Sequence, residues 1–127
     1  MNFFFDNCLP IKLAEAFRCL DVDVEHLREK HKPGIADVDW MPAVAKTGRI
    51  AVTADLRILK RPAEREVRRN CGLRTVFFQA IAELSLWDQA HHLVRAWPIV
   101  EKWAKKAKAG ECARVNVNGK LEVITDP

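Results

Sequence analysis

Short apolar runs alternate with longer amphipathic stretches along most of this chain, and the alternation sets its predicted elements. Asn2-Phe3-Phe4-Phe5 is an apolar run stopped at Asp6, and Pro10 opens an amphipathic stretch through Leu20. That order reads as strand, tight loop and helix, with proline near the helix start, where a missing N–H is tolerated. Arg49-Ile50-Ala51-Val52-Thr53 is a second short strand, and its polar end, Thr53-Ala54-Asp55, parallels the end of the first. Together the pattern predicts strands over 2–6, 22–27, 49–54 and 74–79, and helices over 10–20, near 38–47 and over 62–70. Strands alternating with helices imply an α/β class with a central parallel sheet and right-handed crossovers.

Beyond residue 80 the punctuation changes. Pro98 argues against one continuous helix, Ser85 with Asp88 looks like a capping pair and Gly110 like a terminal cap, so helices are expected at about 84–96 and 98–109. Residues 113–117 and 120–124 flank Asn118-Gly119, a hairpin signal, because Asn-Gly supplies the positive φ angles of a type I′ turn. The helix near 38–47 leaves one ambiguity. If Asp39 is its N-cap, Pro42 falls in the first turn and Asp37 lies just outside; if Asp37 is the cap, the first turn is irregular.

Length adds that this is one globular domain spanning 1–127, since 127 residues suffice for one core but not comfortably two. No apolar stretch approaches the roughly 20 residues of a membrane span, so no membrane association and a cytoplasmic location are expected. Cys8, Cys19, Cys71 and Cys112 are widely separated and form no CxxC pair, which points to reduced, mostly buried thiols rather than a zinc knuckle or disulfide scaffold.

The candidate chemistry lies in three acids at element ends. Asp6 and Asp55 close strands and Asp37 precedes a helix. In an open parallel sheet ligands bind outside the carboxyl ends of the strands, so Asp6 and Asp55 face one mouth. Carboxylates gathered this way are what a divalent-metal site needs. For Asp37 or Asp39 alone, ordinary helix capping is the simpler reading.

Charge changes the picture further. The net charge is +4, and Arg57, Lys60, Arg61, Arg65, Arg68 and Arg69 crowd the segment after Asp55. A basic rim around an acidic centre suits a polyanion whose phosphate approaches the carboxylates; a solvated helix face explains the same cluster equally well. For Lys102, Lys105, Lys106 and Lys108 the solvated face is preferred. Trp40, Trp87, Trp97 and Trp103 fit helical faces as packing residues. His91 and His92 are adjacent on a predicted helix and point different ways, which disfavours a two-histidine metal site. Cys8 has no base partner and reads as a structural thiol.

Asp6-Asn7-Cys8-Leu9-Pro10, Asp37-Val38-Asp39-Trp40 and Thr53-Ala54-Asp55, in this order, resemble the PIN-like domains, especially the compact VapC-type toxin ribonucleases. The resemblance covers about residues 2–80, with 81–127 as a helical and hairpin extension. It implies a three-layer PIN-like fold, one or two Mg2+ or Mn2+ ions held by Asp6, Asp37 and Asp55 as the catalytic acids, and hydrolysis of RNA phosphodiesters. It also implies a protein antitoxin; Trp97, Trp103 and the hairpin edge would suit antitoxin docking or a homodimer, or equally cover an inner edge of the same domain. Asn7 or Thr53 would orient a water or phosphate oxygen by hydrogen bonding, and Asp39 would support the metal-binding acids or add a further ligand. Arg57 and Arg61 would contact backbone phosphates through charge-assisted bonds. The chain departs from the pattern in lacking an acid with a recognisable motif between the first and third blocks, where only Glu25 and Glu29 stand, and in reading Asp55-Leu56-Arg57 without an aromatic after the last acid.

Two rivals belong to other classes. A receiver-like phosphoacceptor would need a paired acid at the first strand end and a lysine after a fifth strand, whereas Asp6 is followed by Asn7 and the last predicted parallel strand has no such lysine. A PIN-like module without activity, binding nucleic acid or protein, needs none of the acids to act.

Overall fold

The computed structural model describes residues 1–127. One six-stranded sheet runs through it: β1 (Asn2–Phe5), β2 (Asp23–His26), β3 (Ile50–Thr53), β4 (Thr75–Phe78), β5 (Cys112–Val115) and β6 (Leu121–Ile124). Their order is β2-β1-β3-β4-β5-β6, and only the β5–β6 pair is antiparallel. The helices are α1 (Ile11–Cys19), α2 (Leu27–Lys30), α3 (Asp37–Lys46), α4 (Pro62–Cys71) and α5 (Leu86–Ala104), with a 3-10 turn over Leu56–Leu59. The strands fall within one or two residues of the sequence expectation. The short α2 was not anticipated; its signal is the pairing of His26 with Glu29 three residues on, a capping box in which Arg28 N–H donates to the His26 ring and His26 N–H to Glu29.

The period-two alternation of the strands divides the core into two layers. Phe3, Phe5, Ile50, Val52, Val76, Phe78, Ala113 and Val115 point to the face covered by α1 and α5. Phe4, Ala51, Phe77 and Cys112 point to the other, covered by α3 and flanked by α4. Burial on both faces explains why the strands read as unbroken apolar runs. Trp97 of α5 anchors the first layer, its ring 4.7 Å from those of both Phe3 and Phe17. Trp40 of α3 stacks on Phe4 at 5.2 Å in the second. The result is the three-layer α/β arrangement.

The faces reveal a topological irregularity. α4 and α5 both join strands that step in the same direction across the sheet, yet they cover opposite faces. The two crossovers therefore have opposite hands. Since α1 and α4 follow the shared hand and right-handed crossovers dominate, β4–α5–β5 is the left-handed one. The expectation of right-handed crossovers throughout is corrected by α5, whose Leu93, Ala96 and Trp97 pack with the β1 phenylalanines and with Val76 and Phe78 of β4 on the face that α1 also covers.

Other expectations at element ends are corrected. α5 is continuous through Pro98, which lies on its solvent face, so the carbonyl it leaves without an N–H partner, one turn earlier at the half-exposed Val94, is on the side open to solvent. Ser85 caps this helix as expected, its hydroxyl accepting from Asp88 N–H. Gly110 is not a helix cap: α5 ends at Ala104, Glu111 takes the Lys108 N–H, and Gly110, with φ +78°, turns the chain into β5. The hairpin forms, but its turn is not type I′, because only Gly119 has positive φ. The Asn116 carbonyl and side chain instead gather the N–H groups of Gly119, Asn118 and Lys120.

Trp87 is 82% exposed, on the side of α5 opposite its buried stripe, unlike Trp40, Trp97 and Trp103. The four cysteines are free, yet only Cys112 is buried and Cys19 is exposed at the end of α1. No helix is long and apolar enough to cross a membrane.

Candidate active site

The chain leaves β1 toward β2 on one side and returns to place β3, β4 and β5 on the other, so the switch point lies between β1 and β3. At such a point the loops after adjacent strands part and leave a crevice at their carboxyl ends. Asp6 stands there, its N–H donating to Val52 O at 3.0 Å. Being two residues beyond Phe4, Asp6 continues the side of the sheet that carries α3 and α4. Both helices run opposite to the strands and begin at this edge, bringing Asp37 in the first turn of α3 and Glu64 in the first turn of α4. Neither Asp37 nor Asp39 is the N-cap of α3; that position is Ala36, with no side-chain bond. The two aspartates still complement the positive helix end. Pro42 sits inside the helix.

Each carboxylate is held by a specific local contact. Asp6, only 6% exposed, accepts from Asn7 N–H at 2.6 Å on Oδ1 and from the Thr53 hydroxyl at 2.8 Å on Oδ2. Thr53 Oγ1 in turn accepts from Asp55 N–H at 3.1 Å, tying the ends of β1 and β3 together. Asp55 Oδ1 caps the 3-10 turn through Arg57 N–H and binds Arg57 Nε at 2.8 Å. Asp37 Oδ1 accepts from Trp40 Nε1 at 2.9 Å. The remaining oxygens of the last two, Asp37 Oδ2 and Asp55 Oδ2, face one atom: Arg61 Nη1, at 3.9 and 3.8 Å. That same nitrogen donates to Glu64 at 3.1 Å.

Burial pushes the Asp6 carboxyl above its usual range; the Thr53 and Asn7 hydrogen bonds oppose this, and the negative charges of Asp37 and Asp55 add to it. The three acids therefore share one electrostatic environment. Cys8 Sγ lies 3.3 Å from Thr53 Oγ1 and 3.8 Å from Asp6 Oδ2 and accepts from Ala54 N–H. Burial, reinforced by the Asp6 charge, raises this thiol to about 11, so it is protonated at neutral pH and serves as packing against the acids.

The other expected site residues are distributed around this centre. Asn7 is exposed at the mouth with its side chain free, and Asp39 is exposed with its carboxylate unpaired. A depression of about 310 Å³ beside the acids is lined by Cys8, Ala54, Asp55, Leu56, Arg57 and Ala82. The basic cluster after Asp55 disperses. Arg68 is buried, holding the carbonyls of Leu73 and Gly110, while Arg65 and Arg69 bind the C-terminal segment at Asp126; among these arginines only Arg57 and Arg61 face the acids. Helical spacing explains the dispersal, since α4 turns successive arginines to different sides. The lysines from Lys102 to Lys108 are exposed at and after the end of α5.

Glu25 and Glu29 stand elsewhere: Glu25 pairs with Arg49, and Glu29 is bound by Arg18 and by His26 N–H. The fourth acid at this edge is Glu64, which the sequence reading passed over inside the arginine-rich stretch. Its signal was position, three residues into a helix that begins at Pro62 after the second acidic strand end.

The donor set suits a hard divalent cation, since every group offered is a carboxylate oxygen and the neighbouring thiol stays protonated. No three histidine, cysteine or acidic side chains converge closely enough to hold an ion as they stand. What lies between Asp37 and Asp55 is the Arg61 guanidinium. The residues fit the ion in chemistry, with a cationic side chain already among them.

A family model described as a PIN like domain matches residues 1–80, from β1 to just beyond β4, and so includes all four acids. No curated protein matches the chain, and no solved structure does.

Proposed function

Because the chain belongs to the PIN-like domain family, whose members are commonly nucleases, we propose that it is a divalent-metal-dependent endoribonuclease, the toxin half of a toxin–antitoxin pair. The observation that supports this reading is the placement of Asp6, Asp37 and Asp55 along one edge at the β1/β3 switch point, each carboxylate oriented by its own hydrogen bond. Asp6, Asp37 and Asp55 would hold Mg2+ or Mn2+, with Glu64 close by. Such an ion, when bound, supplies charge to a phosphoryl oxygen and acidity to a water.

The chain's own residues provide the rest. Thr53 fixes the rotamer of Asp6 through a short hydrogen bond and, through Asp55 N–H, the distance between the two strand ends. Asn7 presents a free amide at the mouth to orient water or phosphate, and the exposed Asp39 offers a further carboxylate beside α3. Arg57 and Arg61, both reaching the acidic edge from the solvent side, would bind the phosphates flanking the scissile one. A polyanion approaching four carboxylates requires such cations to offset repulsion. The antitoxin would be a protein that covers this mouth, and a homodimer is the assembly expected of the C-terminal edge.

The second reading, a PIN-like module that binds without cutting, is favoured by one observation: the carboxylates do not converge on a common point while Arg61 lies among them. Incubating purified protein with a mixed RNA pool and Mg2+ or Mn2+, beside an Asp6→Asn/Asp55→Asn double variant and an EDTA control, separates the two. Metal-dependent cleavage that the double variant lacks establishes the nuclease. Equal inactivity of both proteins in metal shifts the choice to the binding module or to an enzyme that lacks its activator.

A further inference from the structure

Arg61 occupies a position that its neighbours would otherwise give to a metal ion. Its Nη1 is within 3.9 Å of three carboxylates drawn from three elements: Asp37 of α3, Asp55 after β3 and Glu64 of α4. For Asp37 and Asp55, the oxygen facing Arg61 is the one that no local hydrogen bond engages, since Trp40 and Arg57 hold the other oxygen of each. The two free oxygens thus meet a single positive group.

Arg57 differs in kind. It bonds only Asp55, on the oxygen turned away from Arg61, and its side chain is 71% exposed. Arg61 is 42% exposed while its three partners are between 16 and 21% exposed, so the guanidinium covers the acids from the solvent side. Its aim is set locally. Arg61 precedes Pro62 at the start of α4, and Glu64 follows at the i+3 spacing that brings the two side chains together on one helical face.

We propose that Arg61, held by Glu64, is the resident counter-cation of the carboxylate site and competes with the divalent ion for Asp37 and Asp55. The inference rests on the metal-dependent reading above and adds how the same site is regulated. Four carboxylates at one edge, one of them buried, repel each other and need positive charge for the fold to hold them. Arg61 supplies that charge without a metal. An entering ion must displace it, so the apparent affinity for the ion is the intrinsic affinity reduced by the fraction of molecules in which the guanidinium is swung away. The displaced side chain, on the solvent side and no longer neutralised, is then free for a phosphate. A single arginine thereby makes the phosphate-binding form of the site the metal-bound form.

Titration of the metal-free protein with Mn2+ alone, read by calorimetry and by the loss of free-Mn2+ EPR signal, tests this in the wild type and in Arg61→Gln, Arg61→Lys, Arg57→Gln and Asp55→Asn. Arg61→Gln is expected to bind Mn2+ about fivefold or more tightly than wild type, within the usual range of coupling between sites. Arg61→Lys, which keeps the charge and loses the planar fork, should fall between them, and Arg57→Gln should stay near wild type. Thermal melting gives a second reading: Arg61→Gln should melt lower than wild type without metal and recover with Mn2+. Mn2+ bound equally or more weakly by Arg61→Gln than by wild type, with binding still lost in Asp55→Asn, overturns the counter-cation role and leaves the metal site standing. Absence of Mn2+ binding in every protein overturns the metal-dependent reading itself and this inference with it.

Discussion

Thr53→Val tests whether the hydroxyl at the end of β3 organises the site or merely fills space. Valine has nearly the shape of threonine, and Thr53 is fully buried, so packing changes little. The substitution deletes the 2.8 Å bond to Asp6 Oδ2 and the acceptor for Asp55 N–H at 3.1 Å. A hydrogen bond to an ionised group contributes about 1.5–3 kcal/mol, and the Asp55 N–H, only partly buried, recovers some of its loss from water. The expected cost is about 2 kcal/mol at neutral pH, or a Tm fall of roughly 8 °C for a chain of this size. The bond also lowers the Asp6 pKa against the effect of burial, so its loss raises that pKa further. In urea unfolding, Thr53→Val should be less destabilised relative to wild type at pH 3.5, where Asp6 is protonated, than at pH 7. The acid limb of the cleavage pH profile should move to higher pH. Thr53→Ser, which keeps the hydroxyl, should retain the wild-type profile. A Thr53→Val protein as stable as wild type at pH 7, or a Thr53→Ser protein whose profile shifts as far, refutes the reasoning.

The Asp6 charge itself should show in stability. Its folded pKa is raised from 3.8, so the native state binds its proton more tightly than the unfolded chain does, and stability falls as pH rises from about that value through the raised folded one. Asp6→Asn should therefore be more stable than wild type at pH 7 in the absence of metal, with the difference closing below pH 3.8; chemical denaturation across pH measures it. Trp97→Ala, which strips α5 from Phe3, Phe5 and Phe17, should cost about 3–5 kcal/mol by the same method, against little change for Trp87→Ala. Iodoacetamide at pH 8 should label the exposed Cys19 first and leave Cys8 and Cys112 unmodified until unfolding, since burial raises both thiols to about 11; mass spectrometry of timed samples checks this.

Much of the first 80 residues was legible because burial there is two-sided. Phe3-Phe4-Phe5 and Ile50-Ala51-Val52 read as strands without ambiguity, and their ends located Asp6 and Asp55. The periodicity could not tell which face each helix would choose. That choice depends on contacts such as Trp97 with Phe3 and Phe17, separated by many residues, and it produced the left-handed crossover. Proline misled in α5 because its penalty depends on exposure of the carbonyl one turn back, which spacing does not encode. Charge misled in α4 for a similar reason. A run of arginines looks like one surface, yet Arg68 is interior and Arg69 binds a segment near the other end of the chain. Glu64 was hidden by the same run.

The arrangement of the acids is better understood as a cost tolerated by the fold than as a contribution to it. A buried Asp6 with a raised pKa, near two further carboxylates, opposes folding at neutral pH. The opposing terms are local and modest: the Thr53 hydroxyl, the Asn7 N–H, and two arginines approaching from the solvent side. None of these lies among the apolar layers, where Phe4, Trp40 and Phe77 below Asp6 are fully buried and supply the stability that the edge lacks. Separating the two has a consequence for substitution. Changes at the acidic edge should alter charge, pH response and cation affinity while the sheet stays intact, because the layers beneath do not depend on them. Changes in the layers should instead unfold the edge with the rest, since Asp6 is positioned by the same alternation that buries Phe4.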